Sequence, residues 1–428
     1  MKAFDKFLNR LDPRKIQDEE SVQASKSFCM MPWVHLYVSP HGYVNPCCLA
    51  PWEKDGILGD INTASVTEIW NGAPMRDLRK KMLKDQPDSK CWQCYENERL
   101  GIRSKRQSSN MQYRHHLDWA LETNRDGSVD QPKPIYWDIR ISNLCNFKCR
   151  ICGHHSSSKW FEEAKLLGTT SFEDGIHRSV KQFDDLLGQL QPFVMDLEEL
   201  YFAGGEPLVM EEHYDLLEML IRKGKTNIKL RYSTNFSTRF FKGRDVFALW
   251  NQFDEVFLHA SLDGSGKRGE LQRKGQDWED VVTLKRQLKE ICPRVQFMII
   301  STITAMNVLH LPDFHQEWVE LGLVAVDDFI PQILRRPERL NIQIMPPVLK
   351  AQVIERYTQH LKWLNTFNDP SLVKLHVTKN EYASVISYIQ DKDQTALLPE
   401  FIDFTNKLDE FRGENFLEVF PELAPMFG

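Results

Sequence analysis

Between Pro134 and about Pro347 the chain switches six times between short apolar runs with the period of a strand and longer stretches with the period of a helix. The strand-like runs fall at 135–141, 198–203, 228–234, 255–261, 295–302 and 341–345. The helical patterns fall at roughly 156–167, 174–190, 210–222, 241–250, 277–291 and 307–321. Few folds accommodate this order. Strands separated by helices pair in parallel. Right-handed crossovers then curve the sheet, and functional residues gather at the C-terminal ends of its strands. Six such units predict an open, partial (βα)6 barrel within an α/β fold.

The flanks read differently. Residues 28–112 form a small α+β module: Val34, Leu36 and Val38 alternate, Ser39 to Gly42 supplies a turn, and Tyr43 and Val44 begin a return strand. Ser65-Val-Thr-Glu68 is a capping box opening a helix that ends near Gly72, and Pro74 opens another over Met75 to Lys84. Residues 1–27 are polar, broken at Asp12-Pro13, and read as an arm; 113–133 read as a linker. Residues 99–116 are basic (Arg99, Arg103, Lys105, Arg106, Arg114, His115, His116) and read as a solvated connection or as a strip that handles an acidic substrate group. After the barrel segment, 134–347, residues 348–428 are helical by period. Val353, Ile354, Tyr357, Leu361 and Leu364 share a face, and the pattern continues through Phe401, Phe404, Leu408 and Phe411 and then Phe416, Val419, Phe420 and Leu423. This is expected to be a helical cap with a structural role.

A net charge of -6 over 428 residues argues against a general nucleic-acid binder. No apolar run of about 18 residues offers a membrane span, and the charged N-terminus lacks an apolar signal region. A cytoplasmic protein is expected. Of the nine cysteines, eight fall in three tight groups, which in such a chain reads as metal ligation and not as a disulfide framework. Cys292 stands apart and reads as a core thiol.

The densest group follows the first barrel strand. After Ser142 and Asn143 come Cys145, Cys149 and Cys152, with three residues and then two between them. Thiolates spaced this way on one loop can converge on one metal centre. Three are one short of closing a tetrahedral structural site, and an open position is where chemistry occurs. This motif resembles the signature of the radical S-adenosylmethionine (SAM) enzymes. The resemblance implies a 4Fe-4S cluster whose open iron is chelated by SAM, and a 5′-deoxyadenosyl radical released on reduction. Ile151 stands where that family commonly has an aromatic residue.

The later strand ends carry the same resemblance. Gly204, Gly205 and Glu206 lie in Tyr-Phe-Ala-Gly-Gly-Glu-Pro-Leu, where adjacent glycines let a ligand approach the backbone and a carboxylate can meet an ammonium. They are similar to the family's Gly-Gly-Glu-Pro motif, which grips the amino group of SAM. Ser233 and Asn235, then Ser261 and Asp263 with Arg273 downstream, match positions that in the family contact the ribose and carboxylate of SAM. Thr302-Ile303-Thr304 with Asn307 resembles the segment where an apolar residue packs on adenine. Read alone, the polar strand ends are equally helix caps.

Cys29, Cys47 or Cys48, Cys91 and Cys94 lie in the N-terminal module. The Cys29…Gly42-x4-Cys47 pattern is similar to the twitch, or half-SPASM, module of the same family, which implies one auxiliary 4Fe-4S cluster. Here the module precedes the barrel instead of following it. A zinc site closed by four cysteines would use the same ligands. His259 on the fourth strand and Asp138 and Arg140 on the first are candidates to meet substrate; Asp138 and Arg140 can also pair with each other. His154 and His155 read as loop residues beside the cluster. The resemblance implies a radical SAM enzyme acting on a peptide or protein and served by an electron donor such as flavodoxin or ferredoxin, without nucleic-acid or membrane partners. A small-molecule substrate (sugar, nucleoside or amino acid) and a zinc-binding structural protein are the alternatives.

Overall fold

The computed structural model describes residues 14–51, 54–170 and 172–428. The break expected at Asp12-Pro13 lies outside them. The chain divides into two compact units: Met1–Ile141 with Arg178–Leu200, and Ser142–His177 with Tyr201–Gly428.

In the first unit, strand His35–Val38 pairs antiparallel with Tyr43–Asn45, which pairs in turn with Gly59–Asp60. The hairpin turns at Gly42, whose φ of 85° lies in the region glycine favours, and whose N–H donates to Ser39 O at 2.9 Å. On its other edge His35–Val38 pairs in parallel with Tyr136–Ile139, from His35 opposite Tyr136 to Val38 opposite Ile139. The first expected barrel strand is therefore built onto the hairpin of the N-terminal module. Ser65 and Glu68 form the anticipated reciprocal cap on helix Val66–Trp70, and Gly72 and Pro74 open helix Ala73–Leu83. That helix buries Met75, Leu78, Met82 and Leu83, and also Arg79, whose Nε and Nη1 donate to Pro32 O and Trp70 O at 3.0 and 2.9 Å. Trp33 is buried with its indole N–H on Thr123 Oγ1 at 2.7 Å.

In the second unit, strands Lys229–Thr234, Glu255–Ala260, Gln296–Ile303 and Phe329–Ile333 form a parallel sheet in that order. Burial alternates along Lys229–Thr234 and Glu255–Ala260 as a period-2 element requires. Tyr232 turns toward His213 and Trp250 of the covering helices Glu211–Arg222 and Val246–Trp250. Arg231, Ser233, Phe257 and His259 occupy the opposite face, and all four are half-buried.

The sixth strand is not 341–345. Those residues hold a 3-10 turn, Ile342–Ile344, capped by Asn341, and the sixth strand is Phe329–Ile333. Pro331 masks that strand in the sequence, yet it pairs with one neighbour only, Gln296–Ile303, and an edge position tolerates a residue with no N–H. Two helices are shorter than their periodicity implies: 174–190 yields Phe183–Leu190, and 241–250 yields Val246–Trp250 after the short strands Phe240–Phe241 and Arg244–Asp245. The C-terminal part is helical as expected, with Pro347–Leu364, Leu375–Asp391 and Leu398–Arg412. The last ends at Gly413 with φ 61°, a left-handed stop. Among the described residues no helix is long and apolar enough to cross a membrane.

Candidate active site and auxiliary metal centre

The three-cysteine loop is fixed before any metal arrives. Asn143, wholly buried, donates from Nδ2 to His154 O and Gly175 O at 2.7 and 3.0 Å and accepts the His177 N–H at 2.8 Å. It therefore spans both ends of the excursion that carries the cysteines. Lys148–Cys149 pairs antiparallel with Arg273–Lys274. Trp160 Nε1 donates to Cys149 O at 2.7 Å, and the Cys152 N–H donates to Cys149 O at 3.0 Å. Cys145 and Cys149 are buried, Cys152 is half-buried, and all three are free thiols packed around Phe147 and Ile151. Burial pushes the Cys145 thiol up to about 12. Metal binding must displace that proton.

Two basic residues alternate with these cysteines, and carboxylates hold both. Lys148 Nζ pairs with Glu163 at 2.5 Å, and Arg412 closes on the same carboxylate at 2.6 Å. Arg150, 1% exposed, pairs with Asp409 and, at 2.7 Å, with Glu414. The C-terminal region is thus more than a cover: its carboxylates and Arg412 anchor the loop. Sequence reading missed this, although basic residues interleaved between ligating cysteines were a visible signal.

The Gly-Gly-Glu turn lies directly on the loop. Gly204 has φ 86°, and a Cβ on Gly205 would sit 2.0 Å from Leu144 O. The Glu206 N–H donates to Leu144 O at 2.7 Å. The Glu206 carboxylate is buried; Oε1 accepts from Leu208 N–H and the Thr234 hydroxyl at 2.9 and 2.7 Å, and Oε2 from Asn235 N–H at 2.6 Å. A carboxylate offers about four acceptor sites, so roughly one remains for an ammonium. Burial pushes Glu206 up to about 7 in spite of these donors. Asn235 Nδ2 donates to Asn146 Oδ1 at 2.8 Å, tying this strand end to the cysteine loop. Ser233 shares a hydrogen bond with Tyr201 at 2.7 Å, and the Ser261 N–H donates to Thr234 O at 2.8 Å.

Asp263 and Arg273 were expected to reach a ligand's ribose and carboxylate. Here they form a buried ion pair at 2.7 Å, and Asp263 Oδ1 also accepts the Thr302 N–H at 2.7 Å. Arg273 Nη1 comes 3.8 Å from Cys149 Sγ, so it bridges the strand end and the loop. Asn307 Nδ2 donates to Asp263 O and Thr302 O at 3.0 and 2.9 Å, bracing the same turn.

In the first unit, Cys29, Cys47, Cys91 and Cys94 line one small cavity with Lys105 and Arg106 beside them. Burial pushes Cys29 and Cys47 each up to about 12. Cys48 does not line that cavity; its sulfur takes the Lys105 ammonium at 3.2 Å. Of the basic stretch, Arg99, Arg103, Arg114 and His115 are exposed, whereas Lys105 and Arg106 turn toward the cysteines. Arg106 is buried in a bidentate pair with Glu98 at 2.9 and 2.6 Å and donates to Phe28 O at 2.9 Å, next to Cys29. Four thiols flanked by two cations match the needs of an anionic metal–thiolate centre.

Asp138 and Arg140 pair with each other at 2.6 Å, Asp138 being wholly buried, so the self-satisfied alternative is the one the structure shows. Burial pushes the half-buried His259 down to about 3, with Arg231 and Lys374 adding to the effect, so its imidazole is neutral. His154 is buried, its ring against His155 and Phe172. Cys292 is buried, with its thiol on Phe247 O at 3.2 Å.

A parallel α/β sheet combined with a three-cysteine loop braced by a Gly-Gly-Glu turn is the plan of an iron–sulfur enzyme. Residues 139–339 match the radical SAM superfamily, and residues 29–95 match SPASM, an iron–sulfur cluster-binding domain. Residues 139–339 thus form a radical SAM domain, and residues 29–95 form a SPASM domain on its N-terminal side. The radical SAM domain implies a 4Fe-4S cluster and SAM, and the SPASM domain implies further iron–sulfur ligation. No curated protein sequence matches the chain. Among solved structures, native anSMEcpe with bound AdoMet and the Cp18Cys peptide is 18% identical, with 52% of this chain and 56% of that one covered and a TM-score of 0.35. Streptococcus suis SuiB bound to S-adenosylmethionine is 15% identical over 64% of this chain and 58% of its own, TM-score 0.37. SuiB bound to the precursor peptide SuiA is 12% identical over 92% and 74%, TM-score 0.31. The chain thus spans little more than half the length of the first of these.

Proposed function

We propose that the protein cleaves SAM reductively and uses the resulting radical to abstract hydrogen from a peptide or protein. When bound, a 4Fe-4S cluster with SAM supplies the electron that splits the sulfonium and yields a 5′-deoxyadenosyl radical. Cys145, Cys149 and Cys152 would hold that cluster, and the observation that carries the reading is their assembly on one braced loop against Gly205 and Glu206. The remaining acceptor site on Glu206 would hold the ammonium of SAM. The backbone of the Gly204–Gly205 turn lets that group approach closely. Arg273, held by Asp263, keeps positive charge beside Cys149. Ser233, Asn235 and Ser261 supply polar groups at the successive strand ends.

Cys29, Cys47, Cys91 and Cys94 would hold one auxiliary cluster, with Cys48 left outside the ligand set. A radical of this kind attacks almost any nearby C–H bond, so the chain's task is to position one carbon and exclude others. The peptide assignment rests on the pairing of barrel and SPASM module, a combination that in this family often accompanies peptide modification. Anaerobic incubation with dithionite and SAM is expected to yield 5′-deoxyadenosine, and a Cys145→Ala variant none. Yields equal to that variant overturn the reading. Deuterated peptide pools are expected to pass label into 5′-deoxyadenosine; label only from deuterated small metabolites shifts the substrate to that class.

A further inference from the structure

Away from both cysteine sets, three metal-ligating side chains converge in the first unit. His116 Nε2 lies 2.8 Å from Glu198 Oε1, and His115 Nε2 lies 3.7 Å from Glu198 Oε2. All three ligand atoms fall within 4.8 Å of one another. We infer that His115, His116 and Glu198 form a binding site for a divalent transition-metal ion of the zinc class, independent of the iron–sulfur centres.

Geometry carries the inference. Zinc bonds to imidazole nitrogen and carboxylate oxygen of about 2.0–2.1 Å at tetrahedral angles set ligand atoms roughly 3.3 Å apart. The two imidazoles approach different oxygens of the Glu198 carboxylate, at 2.8 and 3.7 Å, and one ligand atom from each of the three residues lies within 4.8 Å of the others, so an ion would draw them together by about an ångström. Two imidazoles and one carboxylate suit zinc better than calcium or magnesium, which select oxygen ligands.

The fold holds the donors from two directions. Arg114–His116 is a single 3-10 turn, which puts the adjacent rings 4.0 Å apart between centroids. His116 stacks on Trp119 at 3.9 Å, and Lys133 Nζ also sits over that indole at 4.4 Å. Glu198 arrives from a segment 82 residues away, fixed by its N–H on Ile135 O at 2.8 Å just before strand Glu199–Phe202.

A simple ion pair explains this arrangement less well. One imidazole satisfies an exposed carboxylate, and an exposed pair of this kind adds little stability. Yet the 3-10 turn brings a second ring to the same Glu198. His115 is 58% exposed and Glu198 42%, so water completes the coordination. A bound ion would clip the start of helix Leu117–Leu121 to the segment that enters the next strand.

The test uses full-length protein with its iron–sulfur clusters loaded under anaerobic conditions, so that the cysteine thiols are occupied. Zinc chloride is titrated in competition with a chromophoric chelator, and iron content is measured before and after. One zinc per chain is expected at constant iron, together with a zinc-dependent rise in the thermal unfolding midpoint. His115→Ala and Glu198→Gln, at exposed positions, are each expected to weaken zinc binding by about tenfold or more and to abolish the rise in midpoint while leaving iron content unchanged. Zinc bound only with loss of iron, no bound zinc in the wild type, or unchanged affinity in either variant overturns the inference.

Discussion

Replacing Gly205 by alanine tests whether the Gly-Gly-Glu turn shapes the three-cysteine loop. The added Cβ would lie 2.0 Å from Leu144 O, 2.7 Å from Leu144 C and 2.8 Å from Asn143 C. These are backbone atoms, so no side chain can rotate aside. Ordinary contact begins at 3.4 Å, and the difference from 2.0 Å obliges the loop or the turn to retreat by about 1.4 Å. That movement breaks the 2.7 Å hydrogen bond from the Glu206 N–H to Leu144 O and is passed directly to Cys145. Overpacking of a tight site costs about 1–3 kcal/mol, and a lost hydrogen bond about 1 kcal/mol more. At 1.4 kcal/mol per factor of ten, a penalty of about 2–4 kcal/mol weakens SAM binding roughly 30- to 1,000-fold. The assay is iron per chain after anaerobic reconstitution, followed by calorimetric titration with SAM. Iron at the three-cysteine loop is expected to fall while the auxiliary iron remains. Gly188→Ala is the control: nothing lies within 4 Å of its added Cβ, so cluster content and SAM affinity are expected to stay at wild-type values. A Gly205→Ala protein that loads fully and binds SAM within about threefold of wild type refutes the reasoning.

Further outcomes follow from the same geometry. Cys47→Ser is expected to lose the auxiliary iron and Cys48→Ser to keep it, because only Cys47 lines the cavity with Cys29, Cys91 and Cys94; equal iron loss in both overturns that ligand choice. Glu206 has its folded pKa raised from 4.5 to about 7, so its contribution to stability without SAM is complete below about 4.5 and lost as pH rises through 7. The ammonium of SAM requires the anion, so SAM affinity is expected to rise across that window and to become flat in Glu206→Gln; a slope surviving in the variant contradicts the assigned role. Asp409→Asn combined with Glu414→Gln strips the counter-charges from buried Arg150, a change worth about 3–5 kcal/mol. Cluster loading at Cys145, Cys149 and Cys152 is expected to fall, while Asp403→Asn, at an exposed position paired to Lys407, leaves it unchanged; normal loading of the double variant shows that the C-terminal anchor is dispensable.

The chain's local chemistry was legible where a short-range rule acts alone. The period of the strands, the capping box at Ser65 and Glu68, and the tight spacing of Cys145, Cys149 and Cys152 each depend on residues a few positions apart. The strand Phe329–Ile333 was hidden because Pro331 forbids a central strand, and only the sheet order reveals that it lies at the unit's edge. The same limit applied to charge. Asp138 and Arg140 read equally as substrate contacts or as an internal pair, and Asp263 and Arg273 read as ligand contacts; the structure holds each couple in an ion pair.

From its order of residues alone this protein had its metal-binding thiols and its α/β alternation determined, since both are written in local spacing. Tertiary structure alone brought Asp409 and Glu414 to Arg150, Lys105 to Cys48, and Glu198 to His115 and His116. Those encounters join residues tens to hundreds of positions apart. They are selected by burial and by the need to pair charge away from water, which no local pattern records.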